Sequence, residues 1–162
     1  MKRSDREEGF SLAEAMIAAG ITAVAFLGTM EAIEHGRGLV HEAAVGDKAL
    51  EMAQGRLEAK RSVRWRDLLE DDLDDDGSSE SSMRDDGQGH DELAGDGVFT
   101  GSLERQGFTE VWSIQGDRPG PIASVGTVVI RSVVIYDGSL GLRELRLETI
   151  RSNPAFVGEP QL

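Results

Sequence analysis

Residues 7 to 30, EEGFSLAEAMIAAGITAVAFLGTM, contain the longest apolar run of the 162-residue chain. The 21 residues from Phe10 to Met30 carry a single charge, Glu14, near the front of the run. About 20 apolar residues are enough for a helix to cross the hydrocarbon core of a bilayer. An unpaired carboxylate near mid-bilayer costs about 2.5–3.5 kcal/mol or more. The run therefore predicts a membrane-spanning helix, and the presence of a costly carboxylate at Glu14 needs an explanation.

Three interpretations compete for this stretch. A secretory signal would place its small-x-small cleavage site at Ala23-Val24-Ala25, but Glu14 would then lie inside its apolar core. A plain transmembrane anchor fits the length of the run but gives the carboxylate no role. The third interpretation rests on Gly9–Glu14, GFSLAE, which comes after a short hydrophilic leader and precedes the apolar run.

This arrangement resembles the prepilin signature of type IV pilins and type II secretion pseudopilins. The resemblance implies that a prepilin peptidase cleaves the chain after Gly9 and methylates the new amino-terminal Phe10. It also implies that Glu14 takes part in filament assembly by meeting the terminal amine of a neighbouring subunit. The physical expectation agrees with this role, because an acid inside a membrane is expected to have a partner.

The leader, residues 1–9, is less basic than is usual in that family. Its three bases are balanced by three acids: Lys2, Arg3 and Arg6 against Asp5, Glu7 and Glu8. Acids count little in the positive-inside rule, so the bases can still hold the leader in the cytoplasm. The resemblance then implies a single-pass inner-membrane protein with a periplasmic head, later built into a cell-surface or periplasmic filament.

A single helix is predicted from Phe10 to about Arg66, because no proline occurs before Pro119. Its transmembrane part covers residues 10–30 and its amphipathic part covers 31–66. In the second part, apolar or small residues recur at spacings of three and four: Leu39, Ala43, Gly46, Leu50, Ala53 and Leu57. We expect this stripe to pack against a globular head.

A basic cluster lies at the end of the predicted helix, formed by Arg56, Lys60, Arg61, Arg64 and Arg66. Cations in a last turn complement the helix dipole, and a filament contact with an acidic neighbour is the alternative. The pattern of residues 49–58, with Trp65 shortly after it, also resembles the PilV-like branch of minor pilins.

Residues 67–99 form an acidic, glycine-rich loop in the prediction. Residues 67 to 97 contain thirteen acids and one base, a local charge of −12 out of −13 for the whole chain. Such a block disfavours direct contact with nucleic acid, because it repels phosphates.

Part of the acidic block begins like a calcium loop. Asp72, Asp74 and Asp76 stand at positions one, three and five, Gly77 comes next at six, and Glu80 falls at nine. Position twelve is Met83, so the stretch is not an EF-hand, although Asp85 or Asp86 could close a non-standard shell. A solvated acidic loop is the alternative, since so many acids produce the pattern by chance.

Residues 100–157 predict an antiparallel β head, with a tail at 158–162. Phe108, Trp112 and Ile114 alternate with polar residues, and β-branched residues run from Val125 to Tyr136. The turn residues at 137–141 predict a hairpin between the last two strands, and Asn153-Pro154 should close the final one. The fold class is therefore α+β, with a long amino-terminal helix packed on a small antiparallel sheet.

The sequence contains no constellation that indicates catalysis. The chain has no cysteine, so disulfides and thiolate metal sites are excluded, and we expect no cofactor other than calcium. The expectation is a non-enzymatic pilin-like subunit whose partners are other pilin subunits, the prepilin peptidase and the inner-membrane assembly platform. The alternative is a membrane-anchored periplasmic binding domain that does not polymerise.

Overall fold

The structure, a computed structural model, describes residues 11–73, 76–139 and 141–156. Helix α1 spans Leu12–Ser62. The predicted start at Phe10 lies outside the described residues. The helix ends before the predicted Arg66, because the backbone of Arg64 is already extended (ψ 151°) and a short 3-10 turn comes next at Trp65–Asp67.

The chain divides into two compact units, residues 1–43 and 44–162. In the first unit, no residue from 11 to 43 is buried. This part of α1 contains a candidate membrane span with a mean hydropathy of 1.7, none of which is buried against the rest of the protein. A helix of this length and composition near an amino terminus is what the sequence predicted, and a signal sequence has the same properties.

The described residues of the second unit form six β-strands. Strands β1 (Glu70–Asp71) and β2 (Ser81–Ser82) form a small antiparallel pair. The main sheet is an antiparallel meander of β3 (Val98–Arg105), β4 (Phe108–Gly116), β5 (Thr127–Gly138) and β6 (Gly141–Ser152), in that order. This confirms the α+β fold class.

Two hairpins build most of the main sheet. The predicted hairpin between β5 and β6 is confirmed, with Gly138 opposite Gly141, and β6 ends just before Asn153. The hairpin between β3 and β4 turns at Gln106-Gly107, where both φ angles are positive (53° and 82°), as a type I′ turn requires. Strand β3 begins inside the segment predicted as an acidic loop.

The back of α1 packs on one face of this sheet. The helix buries a face with the spacing of three and four residues that the sequence indicated: Ala49, Met52, Ala53, Arg56, Leu57 and Lys60. The predicted stripe is correct at Ala53 and Leu57, whereas Leu39 is 57% exposed. The buried face therefore begins later than predicted, at Ala49.

The core also includes residues from the acidic segment. Leu68 and Met83 are buried beside Trp112 and Ile114 of β4. The ring of Trp112 lies so close to Gly101 of β3 that an added Cβ there would come within 2.6 Å of it. The segment after the helix therefore folds onto the head through its few apolar residues.

Candidate functional sites: the helix start, the acidic segment and a buried ionic cluster

The start of α1 is closed by a capping box. The Ser11 hydroxyl accepts a hydrogen bond from the backbone N–H of Ala13 at 3.3 Å, and the Ser11 N–H donates to Glu14 Oε2 at 3.2 Å. Glu14 therefore has a structural role within its own chain that the sequence analysis missed. The signal was present, because Ser11 and Glu14 have the S-x-x-E spacing of such a box.

The other two residues of the predicted processing site, Gly9 and Phe10, lie outside the described residues. From Ala15 to Met30 the helix carries no charged side chain. Large apolar side chains from Leu12 to Val40 are more than half exposed: Leu12, Met16, Ile17, Ile21, Val24, Phe26, Leu27, Met30, Ile33, Leu39 and Val40. An apolar surface this long needs lipid or other protein around it.

Three of the predicted calcium ligands converge in the acidic segment. Carboxylate oxygens of Asp72, Asp76 and Glu80 all lie within 4.8 Å of one another. Asp74, the fourth, lies outside the described residues. The two oxygens of Asp72 accept the N–H groups of Asp76 (3.1 Å) and Gly77 (2.8 Å), so local hydrogen bonds already order this turn.

Asp85 and Asp86, the two residues predicted to close the calcium shell, make other contacts. Asp85 stands in a second group of carboxylates, with Asp91 and Asp96. Its two oxygens accept backbone N–H groups of residues 95, 96 and 97, while Asp86 accepts the N–H of Gln88. Neither residue stands with the Asp72 group in the described chain. Asp85 is held by the glycine turns around it, which spacing along the sequence did not reveal.

A buried ionic cluster joins the helix, the acidic segment and the sheet. Arg56 Nε lies 2.8 Å from Glu110 Oε1 on β4, and Lys60 Nζ lies 2.8 Å from Asp71 Oδ1 on β1. Their side chains are between 1% and 8% exposed. Each buried cation thus faces a buried anion, and the half-exposed Arg105 lies 3.7 Å from Glu110 Oε2 at the edge of the cluster.

Each cation of the cluster makes further contacts. The Arg56 guanidinium stacks over the ring of Trp112 at 3.9 Å from its centroid, a cation–π geometry. Lys60 also donates to the carbonyl oxygens of Leu68 (3.0 Å) and Glu70 (2.7 Å). Burial lowers the pKa of the Lys60 ammonium from its ordinary 10.5, although the Asp71 carboxylate opposes the shift.

This arrangement changes the interpretation of the basic cluster at the helix end. Arg56 and Lys60 are bound inside the head and are not free for a filament contact. Asp71 is more isolated, since neither of its oxygens accepts a well-aligned hydrogen bond from the described residues, despite the short distance to Lys60. The helix end itself is capped by Arg151 of β6, which donates to the carbonyl oxygens of Lys60 (2.7 Å) and Val63 (2.5 Å).

Comparison with protein-family models, curated proteins and solved structures finds no match for this chain. The resemblance to pilins therefore rests on the residues at the front of the sequence.

Proposed function

We propose that the chain is a non-enzymatic minor pilin or pseudopilin, processed by a prepilin peptidase after Gly9 and assembled into a type IV pilus or a type II secretion-like filament. The observation that carries the proposal is the position of Glu14. It is a lone carboxylate in the first turn of a helix whose front part exposes its large apolar side chains. Within the filament class, the pattern is closest to the PilV-like minor pilins.

Cleavage would give Glu14 a partner. Removing residues 1–9 creates a terminal amine at Phe10, a cation at a similar depth in the membrane. The capping hydrogen bond uses Oε2 of Glu14. A carboxylate has about four acceptor positions, so Oε1 can still accept a hydrogen bond from the Phe10 amine of a neighbouring subunit. A buried charge without a partner costs about 3–5 kcal/mol, which favours the axial register that pairs the two groups.

The proposal gives the exposed apolar surface of the helix a contact both before and after filament assembly. Before assembly, residues 12–30 cross the inner membrane once, with the head in the periplasm. After extraction by an assembly platform, the same side chains pack against other pilin subunits in the filament. The proposal thus explains why a long apolar helix is attached to a small folded head.

Glu14→Gln tests the proposal against the structural role of the same residue. A glutamine at this position keeps the capping box, because its amide oxygen accepts the same hydrogen bond, but it loses the negative charge. We expect the variant to insert and to be processed normally, and to be lost from sheared filaments. Glu14→Val should behave in the same way, although it also removes the cap.

Glu31→Gln is the matched control, because it removes a carboxylate from the same helix beyond the apolar run. It should enter filaments at the level of the natural chain. Recovery of Glu14→Gln in filaments at that level would show that Glu14 only caps the helix. The alternative is a membrane-anchored binding domain that does not polymerise. Amino-terminal sequencing separates the two, because only the pilin proposal predicts a mature chain that starts at methylated Phe10.

A further inference from the structure

We propose that the free edge of β6 is a docking surface for the same strand of a second copy of this chain. β6 is the last strand of the main sheet, and all twelve of its residues pair with β5 without a bulge. Among the described residues, no other segment forms a backbone hydrogen bond with residues 141–152. The proposal concerns the head alone and does not depend on the function proposed above.

The two edges of the sheet differ. At the β3 edge, Arg84 exchanges two backbone hydrogen bonds with Thr100 (2.7 and 3.1 Å), so part of that edge is covered. Soluble proteins usually protect an exposed edge with charged side chains, a proline, a bulge or a short strand. β6 is twelve residues long and has no proline and no bulge, so its protection is charge alone, three arginines and two glutamates of opposite sign. Two of its apolar side chains are strongly exposed, Leu142 at 79% and Ile150 at 71%.

Charge complementarity points to a second copy as the partner. In an antiparallel pair related by a two-fold axis at Leu147, Arg146 of each copy lies directly opposite Glu148 of the other. Glu148 already pairs with Arg131 of β5 at 2.5 Å on the same face. The pair would therefore extend a row of alternating charges from one sheet to the next.

Other two-fold registers fit less well. An axis at Arg146 would place that residue opposite itself and Glu144 opposite Glu148, which sets like charges together. An axis at Leu145 would pair Arg146 with Glu144 but would shorten the ladder. The axis at Leu147 pairs Leu142 through Ser152. It also places Arg143 opposite Arg151, whose guanidinium donates to the carbonyl oxygens of Lys60 and Val63 in its own chain.

A charge swap tests both the contact and its register. Sedimentation velocity of the full chain, in detergent with micelles in large excess, should show a concentration-dependent dimer. Arg146→Glu and Glu148→Arg, each alone, turn two attractive pairs into repulsive ones and should weaken the dimer about tenfold or more. An equimolar mixture of the two variants should restore the affinity, because the two acids that one variant carries at these positions then face the two bases of the other.

The mixture is also the folding control, since a misfolded variant would not be rescued. Glu104→Arg, a charge reversal on the other edge strand, should leave the dimer unchanged. A chain that stays monomeric at every accessible concentration overturns the proposal. So does a dimer that ignores both β6 reversals, as one formed through the apolar helix would, or one that responds equally to Glu104→Arg. Weakening by both variants without rescue in the mixture also overturns it.

Discussion

The two parts of helix α1 arrange apolar and charged side chains in opposite ways. In the front part, up to Ala43, large apolar residues are exposed, including Phe26 at 67%. In the back part, from Ala44 onward, the buried positions include Arg56 and Lys60. One continuous helix therefore has its apolar side chains outside along one stretch and cations inside along the next.

Burial along this helix follows the available partners more than the residue type. Lys60 is buried because Asp71 and two backbone carbonyl groups bind its ammonium. The large apolar side chains from Leu12 to Val40 are more than half exposed, and a surface of this kind suits lipid or other chains. In the proposed function, Glu14 is the charge within the apolar run that pairs with an external cation, the Phe10 amine of a neighbouring subunit.

Blocking the cleavage that creates the Phe10 amine should have the largest effect. Gly9→Val places a bulky residue at the predicted cleavage site and should leave an unprocessed membrane species that forms no filament. Gly9→Ala should only slow cleavage. Gel mobility in cells with and without the peptidase measures the outcome, and equal mobility of the natural chain and Gly9→Val in cells with the peptidase would contradict the prepilin interpretation.

Breaking the buried cluster should have the next largest effect. Lys60→Met leaves Asp71 buried beside Arg56 alone, at 3.9 Å, and should lower the free energy of unfolding by about 3–5 kcal/mol. Adding Asp71→Leu removes the uncompensated charge and should recover most of that loss. Denaturant unfolding of the full chain, monitored by the fluorescence of Trp65 and Trp112 in the head, measures both variants.

The control for this comparison is the exposed pair of Lys48 and Glu51 on the same helix, 2.9 Å apart. Lys48→Met should change the free energy of unfolding by less than about 1 kcal/mol, because exposed ion pairs contribute little. If Lys60→Met were no more destabilising than Lys48→Met, the cluster would not hold the helix to the head.

The sequence predicted the long helix, the hairpin of β5 and β6, and the apolar start of α1, because these features repeat over many neighbouring residues. It did not predict the partners of Arg56 and Lys60, because Glu110 lies far along the chain and Asp71 is one acid among thirteen. The turn at Gln106-Gly107 was missed for another reason. Glutamine seldom adopts a positive φ, so the pair does not look like a type I′ turn in the sequence.

Calcium should raise the melting temperature by a moderate amount. This effect would come from the acids of the Asp72 group and not from the buried acids of the ionic cluster. An ion bound by Asp72, Asp76 and Glu80 in the folded chain would add about 2.7 kcal/mol at a concentration one hundred times its Kd. The melting temperature should therefore be higher in calcium than in chelator. Magnesium should do less, because it gives up its waters reluctantly and needs a tighter shell.

The variant that tests this is Asp76→Asn with Glu80→Gln. Both side chains keep an oxygen for the N–H groups they now accept, those of Ser78 and Leu73, but lose their charges. The double variant should lose the calcium response and melt normally in chelator. Glu104→Gln with Asp137→Asn removes two charges elsewhere and should keep the response. An equal response in both double variants would indicate general screening of the acidic chain.

The smallest expected effect is a dependence on pH that arises from Lys60. Because burial lowers its folded-state pKa below 10.5, the unfolded chain holds more protons between these two values. The free energy of unfolding attributable to Lys60 should therefore rise with pH across that interval. Burial is the largest cause of the lowered pKa of Lys60, Arg56 lowers this pKa further, and Asp71 and Glu70 oppose the shift without reversing it. We would measure the unfolding of the natural chain and of the Lys60→Met, Asp71→Leu variant from about pH 7 to about pH 10. The comparison isolates the contribution of Lys60, because the other groups that titrate in this range are common to both chains. The difference in unfolding free energy should move in favour of the natural chain as pH rises. Parallel curves would mean that Lys60 is solvated like the exposed charges at the front of the helix.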